Sequence, residues 1–277
     1  GTIPYPSWNE LRNEAREVKP VIILTVTDDT GDIVRRLTAP AGAGFHRIAW
    51  DLRYPPSNPV DISEKKTDNP FADEPTGPMV VPGTYAVSMA KRVRGETTPL
   101  GEPQSFQTVP LGTATLAAED KQVLLAFQQK TARLQRAVLG AQKAADEAQN
   151  RINYIRQAIL DAPDANKAWL NDVRDLEVRL KDLQLELSGD PVKSKHNAPT
   201  APSIVDRVQS VVYGHWASTS PPTQTHRDAY QIAADEFKVV LGKLQTLIEV
   251  DLPKLEQKLE EAGAPYTPGR VPRWKPE

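Results

Sequence analysis

The chain changes its hydrophobic period once, near residue 112. Before that point apolar and polar positions alternate with the period of a strand that buries one face. Ile22, Leu24 and Val26 share a face of a strand expected over Val18–Asp28. Asp28-Asp29-Thr30-Gly31-Asp32 reads as a hairpin turn, and Ile33–Leu37 as the returning strand. His46, Ile48, Trp50 and Leu52 alternate with Arg47, Ala49, Asp51 and Arg53, which predicts a third strand with Trp50 in the core. Pro82-Gly83 is a turn before Tyr85, Val87 and Met89, and Ser105–Val109 supplies a closing strand. Short strands separated by turn signals predict a β-sandwich over 18–111, interrupted by a Pro-rich loop at 55–81. Residues 1–17, with Pro4, Tyr5, Pro6 and Trp8, read as a surface arm.

After Leu111-Gly112 the period becomes helical, with Thr115 as a candidate cap before Leu116. Leu124, Phe127, Thr131, Leu134, Val138, Ala141, Ala145, Ala148, Ile152, Ile155 and Ile159 recur at spacings of three and four, up to Pro163. At ~1.5 Å per residue this first helix is on the order of 65 Å long. Trp169, Val173, Leu176, Leu180, Leu183 and Leu187 make a second seam, ended by Gly189-Asp190-Pro191. A linker runs to Pro202, and Ser203 with Asp206 resembles a capping box that opens a shorter helix. A third long helix begins with Tyr230, Ala233, Phe237, Val240, Leu244 and Leu247, and Pro253 is expected to kink or divide it before Gly263. The expected fold is α+β and multidomain: an Ig-like β-sandwich, then an antiparallel bundle of three long helices over 115–263, and a C-terminal tail at 264–277.

Two motifs add a family resemblance. Gly44-Phe45-His46-Arg47 leading into Trp50-Asp51-Leu52-Arg53-Tyr54-Pro55, followed by Pro82-Gly83-Thr84-Tyr85, is similar to the C-terminal Ig-like domain of large bacterial secreted proteins. Those are the sortilin-like or neuraminidase-repeat "glycosyl hydrolases", and the domain itself resembles that of flagellar hook-capping proteins. Asp251-Leu252-Pro253 looks like a late helical motif of the same family. The resemblance spans roughly 18–265. It implies β-propeller domains ahead of the sandwich as partners, and an extracytoplasmic location, periplasmic or secreted.

Composition narrows the chemistry. Lys plus Arg total 34 against 36 Asp plus Glu, a net charge of −2, which argues against a footprint for nucleic acid or an anionic membrane. There is no cysteine, hence no disulfide, thiolate nucleophile or cysteine zinc site. The Asp28–Asp32 turn has oxygen ligands at calcium-loop spacing but lacks the later bidentate Glu, so a plain turn is favoured. His46, His196, His215 and His226 form no ligand-spaced pair; His46 is expected near a core edge and His215 closes the short helix.

Glycoside hydrolysis needs paired carboxylates. The acids here fall in the loop (Asp61, Glu64, Asp68, Asp73, Glu74) or on helix surfaces (Glu177, Asp182, Glu186). No catalytic residue, metal ligand or cofactor is expected. Trp50, Asp51, Arg53, Tyr54 and Pro55 are the structural or interaction residues, with Asp51 and Arg53 read as an ion pair or interdomain contact.

The expected function is a non-catalytic accessory or interaction region that packs against propellers or another protein. The alternatives are a fragment completing a glycoside hydrolase site and a carbohydrate-binding module stacking sugars on Trp8, Trp50, Trp216 or Trp274. The loop and the tail from Tyr266 are the expected points of contact.

Overall fold

A computed structural model describes residues 5–63, 74–113, 119–274 and 276. The chain is α+β and divides into two compact units, one made of Gly1–Pro56 with Thr76–Ala117, the other of Ser57–Pro75 with Ala118–Glu277.

The first unit opens with helix α1, Trp8–Arg16, at whose start Ser7 and Glu10 form a reciprocal capping box. Strands β1 (Val21–Thr27), β2 (Ile33–Pro40), β3 (Gly83–Val93), β4 (Glu96–Pro99) and β5 (Gln104–Thr108) follow. All pairings are antiparallel. The order is β2-β1-β3, and the far edge of β3 is shared by β4 along its C-terminal part and β5 along its N-terminal part. A two-residue turn with positive φ at both Arg94 and Gly95 joins β3 to β4, the handedness that matches strand twist.

These five strands make one sheet. Val26, Val34, Val80 and Tyr85 are its buried core, with Trp50, Tyr54, Val87 and Phe106 packed around them. The expected strand through His46 and Trp50 is absent among the described residues: 45–50 carries no ladder, and only Arg53 bridges to Met79. Local bonds outcompete a ladder here. Asp51 accepts from the Arg53 amide, the Trp50 indole donates to the Arg53 carbonyl, and Leu52 sits at φ 58°. The positive φ breaks the alternation, leaving Ile48 and Leu52 exposed while Trp50 stays half-buried. The layer facing the sheet core is therefore a strap, Trp50–Tyr54, with Val80.

The second unit is helical. Asp120 caps α2 (Lys121–Asp161), a helix of 41 residues, about 60 Å at the standard rise. The expected cap Thr115 and start Leu116 lie outside the described residues. Then come α3 (Trp169–Ser188), α4 (Pro191–Lys195), α5 (Ile204–His215), α6 (Gln224–Thr246) and α7 (Leu252–Glu261). The seam from Val138 to Ile159 is buried as its spacing requires, and so are Val173, Leu176, Leu180, Leu183 and Leu187 of α3.

Gln142 on α2 bonds Ser188 at the end of α3, Arg156 bonds Glu177 further along, and Gln128 bonds the carbonyl of His215. So α3 lines the C-terminal half of α2 and α5 lines its N-terminal half. The helix expected short thus takes a full share of the packing, and the expected linker contains α4. As expected, the last helix is divided at Pro253, which lies in the first turn of α7 rather than inside one continuous helix. A π-turn over Leu247–Asp251 precedes it, with the Leu252 amide donating to the Leu247 carbonyl, so the extra residue absorbs the proline ring's demand for space.

The tail folds back on α7. Arg270 pairs with Glu260 at 2.7 Å, and the Arg273 amide donates to the same carboxylate. Thr267 is buried, while Tyr266, Val271 and Trp274 remain exposed.

Candidate functional site

The residues singled out by sequence form one compact structure in the sheet unit. The Tyr54 amide donates to the Pro78 carbonyl and the Val80 amide to the Leu52 carbonyl, both at 2.9 Å. Arg53 reaches the Gly77 carbonyl at 3.1 Å, and Arg35 on β2 donates to the Tyr54 carbonyl at 3.0 Å. Gly77 is required by this approach: a Cβ there would lie 2.3 Å from the Tyr54 oxygen and 2.5 Å from that of Pro55.

Above the sheet, Trp50 meets Tyr85 edge-on at 5.6 Å and Phe106 at 6.2 Å. Such contacts add to the stabilisation from burial alone. Tyr85 is 3% exposed and donates to the Val81 carbonyl; burial pushes its phenol up to about 12. Trp50, Arg53 and Tyr54 thus act as structural members. Asp51 and Pro55 are exposed, and the Asp51 carboxylate is engaged with the Arg53 amide.

This strap leaves apolar side chains in water. Phe45 is fully exposed at 109%, and Ile48, Leu52 and Met79 are exposed beside it in sequence or across the Arg53–Met79 bridge. Sequence alternation had Ile48 and Leu52 in the core, so it missed this patch. The positive φ at Leu52 has no signal in a non-glycine residue.

The other candidates resolve differently. In the Asp28–Asp32 turn, Asp28 Oδ1 accepts from the Thr30 hydroxyl and from the amides of Thr30 and Asp32. Partial burial, which raises the Asp28 carboxyl, is outweighed by these bonds, which hold it below its ordinary value. The carboxylate is spent on the turn. His46 is exposed on a loop and bonds the Gly42 carbonyl, rather than lying at a core edge. His196 is exposed after α4.

His215 and His226, which sequence spacing left apart, meet at 5.2 Å between ring centroids. α5 and α6 form a hairpin about residues 220 and 221, so positions equidistant from its turn face each other, a relation that periodicity within either helix does not show.

A groove of about 990 Å³ runs between α2, the end of α3, α4 and the start of α5, and Asp146, Lys181, Asp190 and Asp206 line it. Asp190 accepts from the Val192 and Lys193 amides, and Asp206 from Ser203. Two of the three carboxylates are therefore helix caps, not an acid–base pair. Glu177 is shared by Arg156 and Lys181. Of the loop acids, Asp61 bonds the Ser63 amide, while Glu64, Asp68 and Asp73 lie outside the described residues. Among the described residues no cluster of three or more His, Asp or Glu is placed to hold a metal ion. No helix among them is long and apolar enough to cross a membrane.

Neither family models, nor curated proteins, nor solved structures provide a match to this chain.

Proposed function

We propose that this chain is a non-catalytic interaction region that docks a protein domain through the sheet unit. The observation that supports it most is Phe45, fully in water, with Ile48, Leu52 and Met79 also exposed around a strap that is itself rigidly bonded. Exposed apolar side chains next to a bonded strap are what a partner buries, and aromatic residues anchor such contacts. On this reading the sheet unit is an Ig-like domain whose second layer is the strap, and the helices form an antiparallel bundle. The partner is a β-propeller domain of a longer extracytoplasmic protein, as the family resemblance implies.

The test replaces Phe45 and Ile48 together with Ser in the chain expressed in its source cells. Thermal unfolding stays unchanged, and the complex seen by size-exclusion chromatography is lost. Turnover of an aryl-glycoside panel, abolished by substituting a single Asp or Glu, would overturn the proposal in favour of a hydrolase fragment.

A further inference from the structure

The two ends of the helical unit are built differently. The C-terminal half of α2 buries Ile152, Ile155 and Ile159, each at most 1% exposed. Its N-terminal half interleaves the buried polar residues Gln128, Thr131 and Gln135 with Leu124, Leu125 and Val138, and the Gln135 Oε1 atom is buried without a hydrogen-bond partner. Opposite that half stands His215, the last residue of α5, 1% exposed and with neither ring nitrogen hydrogen-bonded. A buried polar group without a partner costs free energy in any state, and much more once charged.

The groups around His215 determine what a proton does there. On α2, Phe127 packs edge-on at 5.5 Å, and Gln128 uses its amide on the His215 carbonyl, not on the ring. On α6, His226 packs at 5.2 Å, and Arg227 lies over the Phe127 ring. Tyr230 packs on Phe127 and carries Lys130 over its own ring. The charged groups here are therefore Arg227 and Lys130, both cations, beside a second imidazole. The acids near in sequence are occupied elsewhere: Asp120 caps α2 two turns upstream, and Asp228 accepts from Gln224.

We propose that His215, packed against His226, is an acid-sensitive latch, whose protonation undocks α5 and the start of α6 from the N-terminal half of α2. The geometry supplies the direction. A cation at His215 finds no acceptor and faces like charge, whereas undocking exposes both imidazoles to water. Burial first, then His226 and Arg227, depress the His215 imidazole to about 4, in agreement with that environment. The neutral form is thus favoured in the docked state. One extra proton bound on opening shifts the equilibrium about tenfold per pH unit between roughly 6.5 and 4. The apolar C-terminal half, which contains no histidine, keeps the remainder of the unit together while the latch opens.

The absence of cysteine makes the test direct. Spin labels at Ala126→Cys and Tyr213→Cys, both exposed positions, report the α2–α5 distance by pulsed electron resonance. A second pair at Tyr154→Cys and Val178→Cys reports the other half. From pH 7.5 to 4.5 the first distance lengthens and broadens while the second holds, and His215→Leu or His215→Gln suppresses the change. The proposal is overturned if both pairs change together, if neither changes, or if both His215 variants open at the same pH as the parent.

Discussion

Arg151 and Glu256 tie the C-terminal half of α2 to α7 through two hydrogen bonds, Nε to Oε1 at 3.0 Å and Nη2 to Oε2 at 2.9 Å. Glu256 is 4% exposed, so its charge depends on this fork for solvation. Removing one member of a buried pair strands the other. Arg151→Ala should destabilise the helical unit by about 3 kcal/mol, whereas Arg151→Met with Glu256→Leu should cost on the order of 1 kcal/mol. Urea denaturation of the single and double variants measures the coupling, and additive effects would show that the fork contributes little.

The tail closes over this pair. Gly269 has φ 104°, and a Cβ there would lie 2.6 Å from Arg151 Nε and 2.7 Å from Glu256 Oε1. Gly269→Ala should therefore cost about 2 kcal/mol through strain and displacement of the fork. Proteolysis within 264–274 at native pH should accelerate with it, and unchanged protection would show that the tail does not depend on this approach.

Trp50 is the organising side chain of the sheet unit. Truncation to Ala removes the contacts to Tyr85 and Phe106 and leaves a cavity, and should cost about 3 kcal/mol. Trp50→Phe keeps the ring packing but removes the indole donor to the Arg53 carbonyl, and should cost about 1 kcal/mol. Tm values of the two variants, in that order, check the assignment.

Stability should fall with acid in a window that His215 defines. Its imidazole is depressed to about 4 in the fold, against about 6.5 when unfolded. The unfolded state therefore takes the proton first. Stability is intact above pH 6.5 and declines as pH falls toward 4, by about 2–3 kcal/mol from this residue. His215→Leu should flatten that part of the profile measured by thermal unfolding, and an unchanged slope would assign the acid loss to other groups.

The helical period was legible because buried faces of long helices repeat: the seam from Val138 to Ile159 needs only spacing to be recognised. Helix α1 was missed because no side chain of it is buried, and only the Ser7–Glu10 box marked its start. The Trp50 segment reads as a strand in sequence because its apolar residues alternate. A left-handed Leu52 and the Asp51 and Trp50 bonds to Arg53 decide otherwise, and none of these carries a hydrophobic signature. The importance of Trp50 was thus visible, while the exposure of Phe45, Ile48 and Leu52 was not. The His215–His226 contact required knowing that α5 and α6 fold as a hairpin, which periodicity in either helix alone does not show.

The interaction account is tested most directly at Phe45. A photo-reactive phenylalanine analogue placed there, with a control at the exposed Lys181 on α3, is cross-linked in the source cells and the adducts are sequenced by mass spectrometry. The account predicts that position 45 joins one discrete segment lying outside residues 1–277, in the same or another polypeptide, and that position 181 does not. Adducts at position 45 that match those of the control, or that fall only within this chain, would contradict it.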